Sequence, residues 1–155
     1  MVNYTFDTSF LVKGLVCPRR VKKDSIYEQQ MRIHQKAKAY LVRVEKQEIG
    51  MLIPSFALLE TAAVVARLTN NPDDARKAVE FVRQNASDIY YDVEVLDEAI
   101  DMAIKVKASG FDILFLTIAK MTQTELLTDD RQMHEKAKKQ KIKTSFLSSK
   151  GDGSI

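Results

Sequence analysis

Three acidic residues stand alone in stretches that are otherwise uncharged. Asp7 is the only charge between Met1 and Val12, Glu60 the only one between Gly50 and Ala66, and Asp112 the only one between Ala108 and Ala119. In each window the neighbours predict burial while the residue itself demands water. A buried carboxylate without compensation costs several kcal/mol, so each needs a cationic partner or a metal ion. None of the three windows contains Lys or Arg. A shared divalent cation resolves all three conflicts together, and the Asp129–Asp130 pair adds two more acids of the same kind. Oxygen ligands without a His or Cys cluster select Mg2+ or Mn2+ over zinc.

Each acid also has an ordinary structural reading. Asp112, after Gly110–Phe111, suits a helix N-cap, and Asp7 alone suits a turn. Asp129 with Gln132 three residues on makes a capping box, so Asp129 is expected to cap and Asp130 to serve the site. Glu60 resists such a reading, because an acid in mid-helix among Ala, Leu and Val caps nothing. Asp73 and Asp74 fit helix-start chemistry fully. His34 and His134 fall on polar helix faces with no second histidine nearby, and both are expected to be solvated. Cys17 reads as packing or a loop thiol, and one of Tyr90 and Tyr91 as core.

The elements that must position these acids alternate between short apolar strands and helices. Val2–Phe6 is β-prone and ends at Asp7, and a brief helix or turn starts at Phe10. A basic loop containing Pro18 follows. Ser25-x-x-Glu28 is a capping box opening a long helix to about Glu48, with Ile33, Ala37, Tyr40, Leu41 and Val44 as its inward stripe. Gly50 is expected to end that helix, and Met51–Ile53 is a strand. Helices are expected from Pro54 or Ser55 to Thr69, and from Pro72 to near Asn85, the second opened by Asn71 and Pro72. A strand at Ile89–Tyr91, a helix from Val95 to Lys107, a break at Gly110 and a helix from Asp112 to Met121 come next. A strand at Glu125–Leu127, a helix from Asp130 to Lys139 and a strand at Ile142–Ser145 complete the pattern. This alternation indicates an α/β fold with a five-stranded parallel sheet covered on both sides. Asp7 and Asp129–Asp130 then follow strands directly, at the edge of such a sheet where ligands bind.

The 155 residues suit one domain over residues 1–147, with the Gly- and Ser-rich 148–155 as a flexible tail. Hydrophobic residues at 45% and charged residues at 29% are soluble-globular composition. The net charge of +3 is too small to imply a polyanion partner by itself. Basic residues nevertheless cluster in Arg19–Lys23 and in Arg131–Lys143, and both segments are candidate phosphate contacts, Arg131, Lys138 and Lys139 foremost. A single cysteine excludes an internal disulfide and a thiolate cage. The first residues lack the features of a signal peptide, and no apolar run approaches the ~20 residues of a membrane helix. The expectation is a cytoplasmic, soluble protein.

In order and spacing these residues resemble the PIN-domain nucleases. The matching segments are Phe6-Asp7-Thr8-Ser9-Phe10-Leu11-Val12, Leu59-Glu60-Thr61-Ala62, Gly110-Phe111-Asp112-Ile113-Leu114-Phe115-Leu116 and Leu126-Leu127-Thr128-Asp129-Asp130-Arg131. The resemblance spans about residues 2–146. It implies a three-layer α/β/α fold, often homodimeric, in which Asp7, Glu60, Asp112 and Asp130 are the catalytic, metal-binding acids. Asp129 is then an auxiliary ligand, and Ser9 and Thr128 orient the acids or a bound water. It further implies RNA cleavage with Mg2+ or Mn2+, leaving a 5′-phosphate and a 3′-hydroxyl. Many small members are VapC-type toxins held in check by an antitoxin protein. The basic loop and long helix between Cys17 and Glu48 are larger than in the smallest toxins.

Two function classes therefore stand beside each other: a metal-dependent endoribonuclease of a toxin–antitoxin pair, and a PIN module acting in ribosomal RNA processing or RNA binding without a toxin role. A phosphoryl-transfer domain of receiver or haloacid-dehalogenase type also places an Asp after its first strand. The dehalogenase pattern wants a second acid where this chain has Ser9, and a receiver wants paired acids at the first strand. Neither fits.

Overall fold

In the computed structural model the described residues are 1–108 and 110–149. Five strands form one parallel sheet in the order β3-β2-β1-β4-β5: β1 (Val2–Phe6), β2 (Ile49–Pro54), β3 (Asp88–Tyr90), β4 (Glu125–Thr128) and β5 (Thr144–Phe146). All six residues of β2 are buried. Successive strand residues point to opposite faces, so both faces of the sheet are covered. Seven helices do this: α1 (Thr8–Leu15), α2 (Ser25–Glu45), α3 (Phe56–Thr69), α4 (Pro72–Asn85), α5 (Leu96–Val106), α6 (Asp112–Thr122) and α7 (Arg131–Lys139). The expected α/β fold with a five-stranded parallel sheet is what the chain adopts.

The order of strands fixes where a site can form. The chain winds outward from β1 to β2 and β3, then returns to place β4 on the other side of β1. Connections leaving β1 and β4 therefore part in opposite directions, and a crevice opens beyond their C-terminal ends. The Asp7 amide donates to the Leu127 carbonyl at 2.9 Å, so the two strands stay paired up to the crevice. Phe6, Phe10, Phe115, Leu116, Leu126 and Leu127 are almost wholly excluded from solvent and belong to one hydrophobic core.

Several boundaries differ from expectation for local reasons. Asp24, not Ser25, caps α2: its carboxylate accepts from the Tyr27 amide at 3.1 Å, and Arg20 clamps it with two bonds of 2.9 and 2.6 Å. Those contacts hold the Asp24 carboxyl down at about 2. The long helix ends at Glu45, before left-handed Gln47. Gly50 is no helix stop; it lies inside β2, where a Cβ would collide with Asn3 Oδ1. Tyr91 is exposed and Tyr90 half-buried against the core, as the pairing of one inward and one outward residue requires.

The two histidines also depart from expectation. His34 is buried, not solvated, because α1 packs across α2 there. Its Nδ1 bonds the Lys13 carbonyl at 2.8 Å and its Nε2 lies 3.5 Å from Cys17 Sγ. A carbonyl only accepts, so Nδ1 carries the proton. His134 is half-buried beside Phe146, with Nδ1 3.2 Å from Thr144 Oγ1. Of the expected tail, residues 150–155 lie outside the described residues, while Ser148 is bonded into the domain.

Helix α1 carries the first acid's neighbours, and its position depends on Gly14. A Cβ at Gly14 would come within 2.6 Å of Leu41 Cδ1 and 3.1 Å of the Ala37 carbonyl carbon on α2. Gly14→Ala is expected to destabilise the protein by about 1–3 kcal/mol through overpacking. Urea denaturation with an unchanged m-value checks this, and a stability equal to wild type would show that the two helices can part freely.

Candidate active site

Asp7 sits at the turn from β1 into α1 and is 6% exposed. It makes no cap bond. Instead Ser9 Oγ and Thr128 Oγ1 both donate to its Oδ2, at 2.7 and 2.6 Å. Each hydroxyl is also an acceptor. Ser9 Oγ receives the Asp129 amide at 2.9 Å, and Thr128 Oγ1 receives the Asp130 amide at 3.0 Å. The two hydroxyls thus tie the end of β1 to the end of β4 around one carboxylate. Asp7 Oδ1 has no hydrogen-bond donor among the described residues.

Glu60 reaches the same crevice from the second turn of α3 and accepts from Thr8 Oγ1 at 2.9 Å. Asp112 is the first residue of α6, behind Phe111 at the N-cap, and caps nothing itself. Lys136 Nζ of α7 lies 3.6 Å from its Oδ2. The pair after β4 divides its work in the opposite sense to that expected. Asp130 is the N-cap of α7, its Oδ1 accepting from the Gln132 and Met133 amides at 2.8 and 3.2 Å. Asp129 instead accepts from Ser148 Oγ at 2.5 Å and lies 3.9 Å from Lys13 Nζ. The extended backbone at Asp130 immediately before the helix decides this, since only the N-cap residue has its side chain beside the free amides.

All five acids line one cleft of about 640 Å3. The absence of cations from the sequence windows does not carry over to the fold in full, because Lys136 and Lys13 arrive from other elements. They reach only Asp112 and Asp129. Asp7 and Glu60 have no cationic partner among the described residues. Burial is the first cause that raises the Asp7 carboxyl above its ordinary value; its two hydroxyl bonds oppose this, and Asp112 and Asp130 add repulsion. Burial likewise raises Glu60, against the Thr8 bond and with repulsion from Asp7 and Asp112.

Of the candidate phosphate contacts, Arg19 of the basic loop lines the cleft, whereas Arg131, Lys138 and Lys139 do not. Arg131 lies over the Phe146 ring, 5.7 Å from its centroid, and Lys138 pairs with Glu135 at 3.8 Å. Lys138 and Lys139 stand in the last turn of α7, about two helical turns from Asp130. The basic side chains lining the cleft are Lys13, Arg19 and Arg67. Sequence reasoning did not single out Thr8, Lys13, Arg67, Lys136 or Ser148. Only Arg67 left a signal, since Glu60, Val64 and Arg67 fall at the i, i+4, i+7 spacing of one helix face.

A family model for the PIN domain matches residues 4–139. The chain belongs to the PIN-domain family. PIN domains are generally nucleases and typically use divalent metal ions. No curated protein sequence matches the chain. Among solved structures, PAE2754 from Pyrobaculum aerophilum is 16% identical with a TM-score of 0.58, over 88% of this chain and 81% of that one. VapBC2 from Rickettsia felis, solved bound to a DNA fragment from its promoter, is 12% identical with a TM-score of 0.59, over 94% and 98%. These likenesses show a shared fold.

The residues fit the divalent ion that PIN domains use, although no three acidic, His or Cys side chains among the described residues meet as a ready-made cage. The donors are all hard oxygens, Asp7 keeps one oxygen free of protein donors, and two carboxyls are destabilised in their charged form. The contacts of Lys13 and Lys136, at 3.9 and 3.6 Å, are at the long limit of an ion pair, so they yield readily to a divalent cation.

Raised carboxyls make the metal-free fold less stable as pH rises. Between the ordinary value near 3.8 for Asp7 and its raised value, the folded state keeps a proton that the unfolded chain has released. Asp24 acts oppositely and at lower pH, losing its contribution as pH falls from 3.8 toward about 2. Asp7→Asn is therefore expected to raise the melting midpoint in chelator at neutral pH, by about 2–4 °C for each kcal/mol relieved, and to flatten its fall with pH. Scanning calorimetry from pH 4 to 8 reads both; a lower midpoint in the variant would show that the Asp7 charge stabilises the empty site.

Proposed function

We propose that this PIN domain is an Mg2+- or Mn2+-dependent endoribonuclease and the toxin of a VapBC-type pair. The observation that carries the nuclease reading is Asp7. It is a buried carboxylate with one oxygen satisfied by two hydroxyls, the other free, other acids around it and no cation of its own. The residues that would hold the ion are Asp7, Glu60, Asp112 and Asp130, with Asp129 beside them. Asp130 spends Oδ1 on the α7 amides, which leaves its second oxygen for this role. A bound divalent ion supplies Lewis acidity toward a phosphodiester and offsets the repulsion between the acids and an RNA backbone.

The chain's own residues set the geometry. Ser9 and Thr128 fix the Asp7 carboxylate in one orientation, and Thr8 does the same for Glu60. Lys13 and Lys136 neutralise part of the acidic charge without entering the buried end, which lets a polyanion approach. Asp7→Asn and Glu60→Gln are expected to lower kcat on single-stranded RNA by roughly 10²-fold or more, and chelator to abolish cleavage. Cleavage at equal rates by wild type and both variants would sink the reading. The toxin role rests on the VapC resemblance and the fold shared with VapBC2. Induced expression that arrests growth with wild type but not with Asp7→Asn supports it, whereas normal growth points to an RNA-processing role instead.

A homodimer is part of the proposal. Leu96, Ile100 and Ile104 form an i, i+4, i+8 apolar stripe on α5, each about half exposed or more. Asp97, Glu98 and Asp101 flank its first half, and Lys105 and Lys107 its second. An antiparallel second copy centred on Ile100 sets Leu96 against Ile104 and acids against lysines, the self-complementarity of a two-fold interface. Ile100→Glu is expected to give monomers in sedimentation velocity; a monomeric wild type at micromolar concentration overturns the assembly.

A further inference from the structure

Beyond its acids, the cleft has a second half. It is walled by Val16 and Pro18, which follow α1, and by Val64 and Leu68 on α3, with Arg19 and Arg67 on its rim. Glu60, Val64, Arg67 and Leu68 share one face of α3 at i, i+4, i+7 and i+8. The helix thus carries the acidic half into the apolar one. Seven residues at 1.5 Å each put Arg67 about 10 Å along the helix from Glu60. Leu68 is 45% exposed on this face, a large apolar side chain with nothing over it among the described residues.

The arginines are the informative feature. Arg19 and Arg67 line a cleft that holds five carboxylates, yet neither makes an ion pair or hydrogen bond among the described residues. The lysines that reach the acids are Lys13 and Lys136. A guanidinium left free beside so many carboxylates is placed to meet an anion from outside. Its planar fork matches two phosphate oxygens at once. Apolar wall and arginine fork together suit a nucleotide, base against Val64 and Leu68, phosphate against Arg67 and Arg19. Gln30 lines the same cleft and offers an amide donor and acceptor to a base edge. Only an unpaired base can turn its face to such a wall, since a duplex keeps base faces stacked inside.

We propose that this half of the cleft is a nucleotide subsite for single-stranded RNA, with Arg19 and Arg67 holding a phosphate next to the scissile one. The inference rests on the nuclease reading for the direction of the strand, but it assigns different residues. With the divalent ion of that reading at the acids, a strand running from them to the arginines meets positive charge at both ends, which suits a continuous polyanion better than a protein segment.

Cys17 is the only cysteine of the chain, lies exposed, and lines this cleft, so it reports occupancy without any need for catalysis. In Glu60→Gln protein, a single-stranded oligoribonucleotide is expected to slow the alkylation of Cys17 by iodoacetamide several-fold, and a duplex of the same sequence to leave it unchanged. In otherwise wild-type protein, Arg67→Ala is expected to raise KM roughly 10-fold, with kcat within about twofold. The salt dependence of binding should fall by about 0.7 in slope for each arginine removed. Arg19 and Arg67 are both exposed, so removing either affects folding little. Alkylation indifferent to the single strand, equal protection by duplex, or unchanged KM and salt slope in Arg67→Ala each overturns the subsite while leaving cleavage intact. Protection of Cys17 without any cleavage by wild type keeps the subsite and removes the nuclease reading instead.

Discussion

A carboxylate buried at the junction of β1 and β4 is the constraint around which this domain is arranged. The Asp7 side chain could not remain there on van der Waals contacts alone, because desolvation acts against its charge. Two hydroxyls compensate, and they are not local decoration. Ser9 comes from α1 and Thr128 from β4, and each also accepts a backbone amide of the Asp129–Asp130 turn. One set of hydrogen bonds therefore orients the acid, closes the sheet at its switch point and sets the direction in which α7 leaves. Disturbing any of the three disturbs the others.

The compensation is partial, and the remainder is directed. Oδ2 of Asp7 accepts two hydrogen bonds while Oδ1 accepts none among the described residues, and Asp112 and Asp130 repel its charge. Stability and function pull against each other at such a place. Burial disfavours the charged carboxyl, and its two hydroxyl bonds oppose that cost only in part. Lys13 and Lys136 moderate the field from half-exposed positions. Their contacts of 3.9 and 3.6 Å are too long to lock Asp129 and Asp112 in place.

The cleft is therefore graded along its length. Acids gather where β1 and β4 end, and the wall becomes apolar and then cationic along α3 toward Arg67. One face of a single helix thus carries three chemistries in series. The buried helix–helix contact at Gly14 keeps α1 close to α2, and with it Lys13 and the Cys17–Arg19 segment beside that face.

Much of this was legible in the sequence. Lone acids in uncharged windows marked Asp7, Glu60 and Asp112, but the expected burial holds only at Asp7; Glu60 is half-buried and the Asp112 side chain is 42% exposed, because the start of α6 faces the open cleft. Alternating apolar runs and helical periods determined the parallel sheet, and the four motifs determined the family. What neighbours in space decide was not legible. Asp129 and Asp130 exchange roles because the backbone turn, not the spacing to Gln132, puts one of them beside the free amides of α7. His34 is buried because α1 crosses α2, and Lys13 and Lys136 meet acids more than a hundred and more than twenty residues away in sequence. The sequence by itself determined which residues could not be left alone; only the tertiary structure decided what each was given, since a partner's identity depends on distances that sequence separation does not encode.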